Sequence, residues 1–406
     1  MRILILGGDG YLGWPTAMHL SAQGHDVVIA DNYLRRDLAR SIDSETLYPV
    51  PNMHQRAARW TERSGKDIGV HVVDLADAKQ CDALFAAVKP EALVHYAEQP
   101  SAPYSMLHNQ AASLTLHNNL GVTLNTILGV RDHCPDCHVV KLGTMGEYGT
   151  PNVDIPEGWF DLEFRGRTQR SLFPRQAGSL YHTTKIMDTD LLWFYCRVWN
   201  IRVTDLMQGP VYGLETWENE GDESLYPSFA YDEVFGTALN RFIVQAVAGY
   251  PLTVYGSGGQ TRGYLNLKDT LNCIRLAIEN PVEPGELRVF NQFTEMFSVN
   301  ELADRVQCVG GTLGLTVEIQ NLPNPRIEAE DHYYNPDHTG LIDLGLEPHL
   351  LTDERLAAMI DLVRRHADTI NHDQIFRGVT WASKNKTDTK QPAGASPAVA
   401  ASSAAT

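Results

Sequence analysis

The sequence predicts an α/β protein built on a doubly wound parallel sheet, with a smaller, interleaved C-terminal lobe. Three observations carry that reading. Short β-branched apolar runs alternate with longer helical stretches from Met1 to about Leu206, a glycine-rich turn follows the first of those runs directly, and the texture changes after Gln208. Among 406 residues, 43% are apolar and 20% charged, enough to bury a sizeable core and to exclude disordered, collagen-like and small disulfide-rich classes. Fifty acidic against 33 basic residues give a net charge of −17, which repels nucleic-acid phosphates and anionic lipid, so neither is expected as a partner. An anionic substrate must then be held by a few local arginines or helix N-termini. No stretch approaches about 18 apolar residues, and a strand pattern follows Met1 at once, so no membrane insertion, signal peptide or transit peptide is expected. Cys81, Cys134, Cys137, Cys196, Cys273 and Cys308 are sparse for this length and fit a reducing cytosol. Cys134-Pro135-Asp136-Cys137 has the spacing of a redox or zinc half-site. No second pair or His cluster completes four ligands, so it reads as chance spacing in a helix-to-strand loop and no metal is expected.

In chain order, Arg2 to Leu6, Asp26 to Ala30, Val70 to Val73, Ala92 to His95 and His138 to Leu142 read as strands, apolar enough to be covered on both faces. Gly7-Gly8-Asp9-Gly10-Tyr11-Leu12-Gly13 links the first strand to a helix that Gly24 closes. Glycines there allow a tight turn and bring backbone N–H groups and the helix N-terminus up to a pyrophosphate, the Rossmann arrangement. Asp31 ends the second strand about 20 residues on, where its carboxylate can accept bonds from ribose hydroxyls and repel a 2′-phosphate, favouring NAD over NADP. Arg35 and Arg36 follow and could offset that charge. Asp74-Leu75, at the end of the third strand, is placed to touch adenine. Tyr181 and Lys185 lie four apart on one helix face. A tyrosine of pKa about 10 is a poor base at neutral pH, and a neighbouring ammonium together with the nicotinamide charge can lower it. The pair gains force from lying downstream of the glycine loop and of Gly143-Thr144-Met145-Gly146-Glu147-Tyr148-Gly149, which ends the fifth strand. Residues 1–207 therefore read as the dinucleotide-binding domain, to which later segments return. Pro210 and the acidic Glu215 to Ser224 open a second lobe over 208–382, in which Leu356, Met359, Ile360 and Val363 share one helix face. Residues 383–406 have little to bury and read as a disordered tail.

On these motifs the chain resembles an extended short-chain dehydrogenase/reductase acting on a nucleotide sugar, the NAD-dependent epimerase/dehydratase family, from Met1 to about Trp381. Five stretches narrow the resemblance to the branch that forms UDP-sulfoquinovose: Gly8 to Trp14, Ser101 to Met106, Thr144 to Asn152, Phe235 to Phe242 and Gly259 to Tyr264. The resemblance implies conversion of UDP-glucose and sulfite into a sulfolipid head-group donor through a 4-keto-5,6-ene, with NAD retained. Tyr181 would take the C4 hydroxyl proton, Lys185 would hold the ribose and depress the Tyr181 pKa, and Thr144 would bond the same oxygen. It places Gly7, Gly10, Tyr11, Leu12, Gly13, Asp31, Asn32, Arg35, Arg36, Asp74, Leu75, Pro100, Asn118 and Val211 around the dinucleotide. It also places Gln208, Thr237, Ala238, Leu239, Asn240, Thr253, Val254, Tyr255, Gln260, Thr261 and Arg262 around the UDP-sugar, with Arg326 on the diphosphate.

Two departures are informative. Dehydratases of the family carry Thr-Asp-Glu where this chain has Thr144-Met145-Gly146, so Glu147 or His182 would have to move the C5 and C6 protons. Met145 would remove a negative charge from the path of sulfite. The plainer readings are a structural glutamate at the strand end and an ordinary histidine. Glu98-Gln99-Pro100 stands where the narrower branch has Glu-Gln-Arg. A homodimer and a protein that delivers sulfite are further implications. The competing readings are a UDP-sugar 4-epimerase using the same Tyr181, Lys185 and Thr144, and a non-catalytic nucleotide-sugar-binding protein.

Overall fold

The computed structural model describes residues 1–325 and 333–376. Along the chain run β1 (Arg2–Leu6), α1 (Gly13–Ala22), β2 (Asp26–Asp31), α2 (Leu34–Ser41), α3 (Met53–Ser64), β3 (Ile68–Val72), α4 (Ala78–Val88), β4 (Ala92–His95), α5 (Ala102–Ser105), α6 (Asn109–His133) and β5 (His138–Thr144). A hairpin of β6 (Trp159–Phe164) and β7 (Arg167–Leu172) precedes α7 (Leu180–Trp199), β8 (Arg202–Gln208) and β9 (Val211–Tyr212). The remainder comprises α8 (Ala238–Val247), β10 (Leu252–Tyr255), β11 (Thr261–Asn266), α9 (Leu267–Glu279), β12 (Leu287–Gln292), β13 (Glu295–Ser298), α10 (Val299–Thr312), β14 (Ile319–Leu322), α11 (Gly340–Asp343) and α12 (Asp353–Arg365).

Seven strands in the order β12-β8-β5-β4-β1-β2-β3 form one wholly parallel sheet. Apolar clusters cover both of its faces, so Ile3, Leu4, Ile5 and Leu6 of β1 are all fully buried. Because every strand points the same way, the residues ending β1, β2, β4, β5 and β8 gather on one edge. The chain leaves β1 in one direction and β4 in the other, and a crevice opens at that switch.

The third strand begins at Ile68 rather than Val70, its pairing with β2 carrying it through Gly69. β8 and β12 were not among the predicted strands. β8 carries Arg202, Thr204 and Asp205, which masks an alternation-free buried strand; it pairs with β5 on one side and with the edge strand β12 on the other. The smaller lobe packs α8, α10 and α12 with the short sheets β13-β11-β9 and β10-β14 around its own apolar cluster. The expected boundary near 207 is crossed again from Leu267 onward: α9 packs beside α1, and β12 pairs with β8. Leu356, Met359, Ile360 and Val363 are buried on one face of α12. Cys134 and Cys137 sit in the turn between α6 and β5, the Cys137 N–H donating to the Cys134 carbonyl at 2.9 Å. Among the described residues no helix is long and apolar enough to cross a membrane, and no three potential metal ligands cluster. The tail at 383–406 and Arg326 lie outside the described residues.

Candidate active site

A cleft of about 460 Å³ runs along the C-terminal edge of the large sheet and up to the smaller lobe. Gly7, with φ +85°, donates to the Ala30 carbonyl at 2.8 Å, turning the chain sharply off β1. A Cβ on Gly13 would lie 2.0 Å from the Gly7 carbonyl oxygen, so only glycine lets α1 start this close to the strand. Leu12 supplies no side-chain cap, which leaves first-turn N–H groups of α1 to face the cleft. This cradle fits a dinucleotide pyrophosphate. Gly7, Gly10, Tyr11, Leu12, Gly13, Asp31, Asn32, Arg35, Leu75, Pro100, Asn118 and Val211 all line the cleft.

The Asp31 carboxylate accepts the N–H groups of Asp9 at 3.0 Å and Tyr33 at 2.7 Å. Burial and the nearby Asp9 charge push it up to about 6. The Arg35 guanidinium lies 3.5 Å from the Phe235 ring centroid, joining the two lobes across the cleft. Two residues expected around the dinucleotide do not border the cleft. Arg36 turns away to clasp Asp9 bidentately at 2.6 and 2.7 Å and two backbone carbonyls, so its charge is spent beneath the glycine loop, with Arg56. Asp74 lies behind the lining, accepting from Asn32 at 3.3 Å, and reaches the cleft only through that side chain.

At the other end, Thr144 terminates β5 and Tyr181 rises in the first turn of α7, which Ser179 caps by accepting the His182 N–H at 3.1 Å. Thr144, Tyr181 and His182 line the cleft together. The His182 imidazole lies over Gly146: a Cβ there would stand 2.4 Å from His182 Nε2. The departure at 146 and the histidine at 182 are therefore one arrangement, because no side chain at 146 fits beside this ring. Lys185 Nζ donates to the Leu142 carbonyl at 2.6 Å and pairs with Glu98 at 2.8 Å. Burial, with the Glu98 and Glu147 charges, raises the Tyr181 hydroxyl well above its ordinary value, and the lysine's charge is matched by Glu98.

Glu147 does not border the cleft. It is fully buried, accepting the Thr144 N–H at 3.2 Å and facing Lys141 at 3.4 Å and Arg175 at 3.1 Å, which makes it the strut of the strand end. Met145 is also buried, in the apolar cluster with Tyr148 and Phe173, and does not border the cleft. Gln208, at the end of β8, lines the cleft with Thr237 and Asn240 of the smaller lobe, whereas Leu239 and Val254 belong to that lobe's core. Thr253 is buried with its side chain accepting from Gln245 at 2.8 Å. Ala238 opens α8 beside Thr237 without bordering the cleft. Tyr255, whose hydroxyl donates to Glu233, sits with Gln260, Thr261 and Arg262 on the outer strands, beyond the described lining.

Sequence reasoning missed the buried charges behind the site: Glu98, Lys141, Asp188 and Asp205. One signal was available. A lysine inside the otherwise apolar run His138 to Leu142 of a covered strand demands buried partners, and Lys141 finds Asp205 at 3.3 Å and Thr189 at 2.9 Å.

The profile of the NAD dependent epimerase/dehydratase family matches residues 3–291, and the chain belongs to that family. Within it, the chain is 48% identical over 380 residues to the chloroplastic UDP-sulfoquinovose synthase of Spinacia oleracea, covering 94% of this chain and 79% of the relative. It is 45% identical over 361 residues to the UDP-sulfoquinovose synthase of Sulfolobus acidocaldarius, covering 89% and 92%. Among solved structures, the UDP-glucose 4-epimerase of Bifidobacterium longum in complex with NAD+ and UDP superposes with a TM-score of 0.69 at 18% identity, over 91% of this chain and 100% of that one. The Thermus thermophilus UDP-glucose 4-epimerase complex with NAD gives 0.62 at 22%, over 90% and 99%, and both share the fold.

Proposed function

We propose that this chain converts UDP-glucose and sulfite into UDP-sulfoquinovose, retaining NAD through the cycle. The observation that carries the reading is the identity of 48% and 45% to two such synthases over about nine-tenths of the chain. Held by the glycine loop and Asp31, NAD would supply reversible hydride transfer at sugar C4, a chemistry with no net oxidation. Gly7, Gly10 and Gly13 admit the pyrophosphate, and Asp31 receives the ribose hydroxyls. Tyr181 moves the proton at the C4 oxygen and Thr144 Oγ holds the same oxygen. With two of its N–H bonds committed to Leu142 and Glu98, Lys185 has one left for the ribose.

Oxidation at C4 acidifies C5–H, so that water can be lost between C5 and C6 and sulfite can add at C6. Of the two groups first considered for those protons, His182 borders the cleft and Glu147 does not. His182 therefore takes the role. Its Nδ1 is held at 3.1 Å from Ser179 Oγ, aiming Nε2 across Gly146. Gln208, Thr237 and Asn240 bind the sugar nucleotide, and Arg326 is the arginine that the family resemblance puts on its diphosphate. Exposed Met187, Phe194 and Val198 on α7 support a homodimer, and six free cysteines support a reducing cytosol. Sulfite, delivered by a protein donor, completes the partners.

Mass analysis of product after incubation with UDP-glucose and sulfite tests the function. A sulfonated sugar nucleotide is expected, and UDP-galactose alone, with or without sulfite, would overturn the reading in favour of an epimerase. His182→Ala should leave bound NAD reduced on adding UDP-glucose, with no solvent deuterium at C5. Parent-like deuterium incorporation would remove His182 from the mechanism.

A further inference from the structure

Lys185 meets an opposite charge before any ligand arrives. Glu98, three residues beyond β4, is 1% exposed and lies 2.8 Å from Lys185 Nζ, while bordering the same cleft as Tyr181. An ammonium with a carboxylate in contact presents a dipole, not a charge, to a third group one helical turn away, and its pull on that group falls accordingly. The neighbours offer no substitute. From β4, His95 lies 3.7 Å from Glu98, and burial pushes it down to about 4, so it is neutral. Lys141 of β5 is engaged by Asp205 and Glu147, and Glu147 by Arg175. Asp188, on α7, is raised well above its ordinary value by burial and by Glu98. From α6 come the uncharged Thr123, on His95, and Asn119, which donates to Thr184.

We propose that Glu98 is a positioning residue that sets the working pH of the Tyr181–Lys185 pair. It fixes the ammonium against the Leu142 carbonyl and offsets its charge at the tyrosine hydroxyl, so that Tyr181 rests as a phenol. The inference rests on Tyr181 as the C4 proton carrier and goes beyond that reading in naming what governs its ionisation. Removing the carboxylate while keeping its shape leaves Lys185 facing Tyr181 uncompensated, so the hydroxyl becomes more acidic.

The test is Glu98→Gln in the full-length, NAD-loaded protein. The acidic limb of the pH profile for kcat, measured with UDP-glucose and sulfite, should move down by at least about one pH unit. The plateau should fall because the ammonium is no longer fixed. Phenolate absorbance that Tyr181→Phe abolishes should be greater in Glu98→Gln than in the parent at the same alkaline pH. Glu98→Asp, with its charge restored at shorter reach, should shift both readouts less. A plateau lowered with the limb and the phenolate signal unchanged would reduce Glu98 to a structural residue and overturn the proposal, as would a shift to higher pH. If circular dichroism shows Glu98→Gln unfolded, Glu98→Asp decides alone: a limb displaced downward supports the proposal and an undisplaced one ends it. The phenolate titration contains no sugar or sulfite. A protein that forms no sulfonated product but shows the shift would overturn the assigned reaction and leave this inference standing.

Discussion

Tyr181 and Asp31 are both half-buried acids at the cleft, and each does its work in a different protonation state. Tyr181→Phe removes one hydroxyl from the first turn of a well-packed helix, so the fold should persist while the rate falls roughly 10²-fold or more. Turnover within a few-fold of the parent would move the C4 proton to another group. Asp31 must be a carboxylate to accept ribose hydroxyls, and its value is raised to about 6. NAD affinity should therefore be constant above neutrality and weaken as pH drops through 6, a loss that titration calorimetry at several pH values would reveal. Asp31→Ala should weaken NAD at every pH, flatten this dependence and narrow its advantage over NADP. At this scale the legible residues were those whose partners are close in sequence: the glycine loop, Asp31 and the i, i+4 pair. Glu98 meets Lys185 only because α7 packs against β5 beside β4, and Lys141 meets Asp205 only because β5 and β8 pair, which no spacing announces. The misplaced Leu239, Thr253 and Val254 have a related cause. A motif carries its neighbourhood, while the direction of each side chain is set by the helix or strand it sits on.

Helix α7 brings the site to its working geometry, and its first turn depends on one hydroxyl. Ser179 both caps the helix and holds the His182 ring. Ser179→Ala should cost about 1 kcal/mol in unfolding free energy and should also loosen His182. Loss of sulfonation that exceeds loss of C4 oxidation would separate the two effects, and equal losses would show that only the cap matters. A second local device joins the loop after β5 to β12 and α11. Glu157 accepts the Asn291 N–H at 3.0 Å and the Gly340 N–H at 2.9 Å, and burial pushes its carboxyl up to about 7. The unfolded chain ionises this group at its ordinary value of 4.5, so between the two values the folded form binds more protons. Stability should accordingly decline as pH rises from 4.5 through 7 and level off above. Glu157→Gln should remove that component from a plot of Tm against pH. An unaltered slope would place the dependence elsewhere.

Across the whole molecule the parallel sheet is assembled from both halves of the chain. The alternation of apolar runs and helices revealed its first five strands because each is short, apolar and followed by a helix. The sixth and seventh escaped notice because β8 is interrupted by polar residues satisfied inside the fold, and β12 lies beyond a long stretch of the smaller lobe. The segment from β9 to β11 is therefore inserted between two neighbouring strands, and β13 to α12 complete that lobe after β12. Residues 1–209 alone should retain six of the seven strands, yet present β8 as a bare edge along Val203 to Gln208. Size-exclusion chromatography should find this fragment self-associated, and a folded monomer would contradict the prediction. The same geometry imposes an order on biosynthesis. As the nascent chain leaves the ribosome, the catalytic helix and its strand are out long before Leu287 can cover their flank. At ~5–20 residues per second that interval lasts roughly 4–16 s. During it the flank of β8 is an unpaired strand edge, and slower translation through Gly209 to Glu286 should lengthen its exposure.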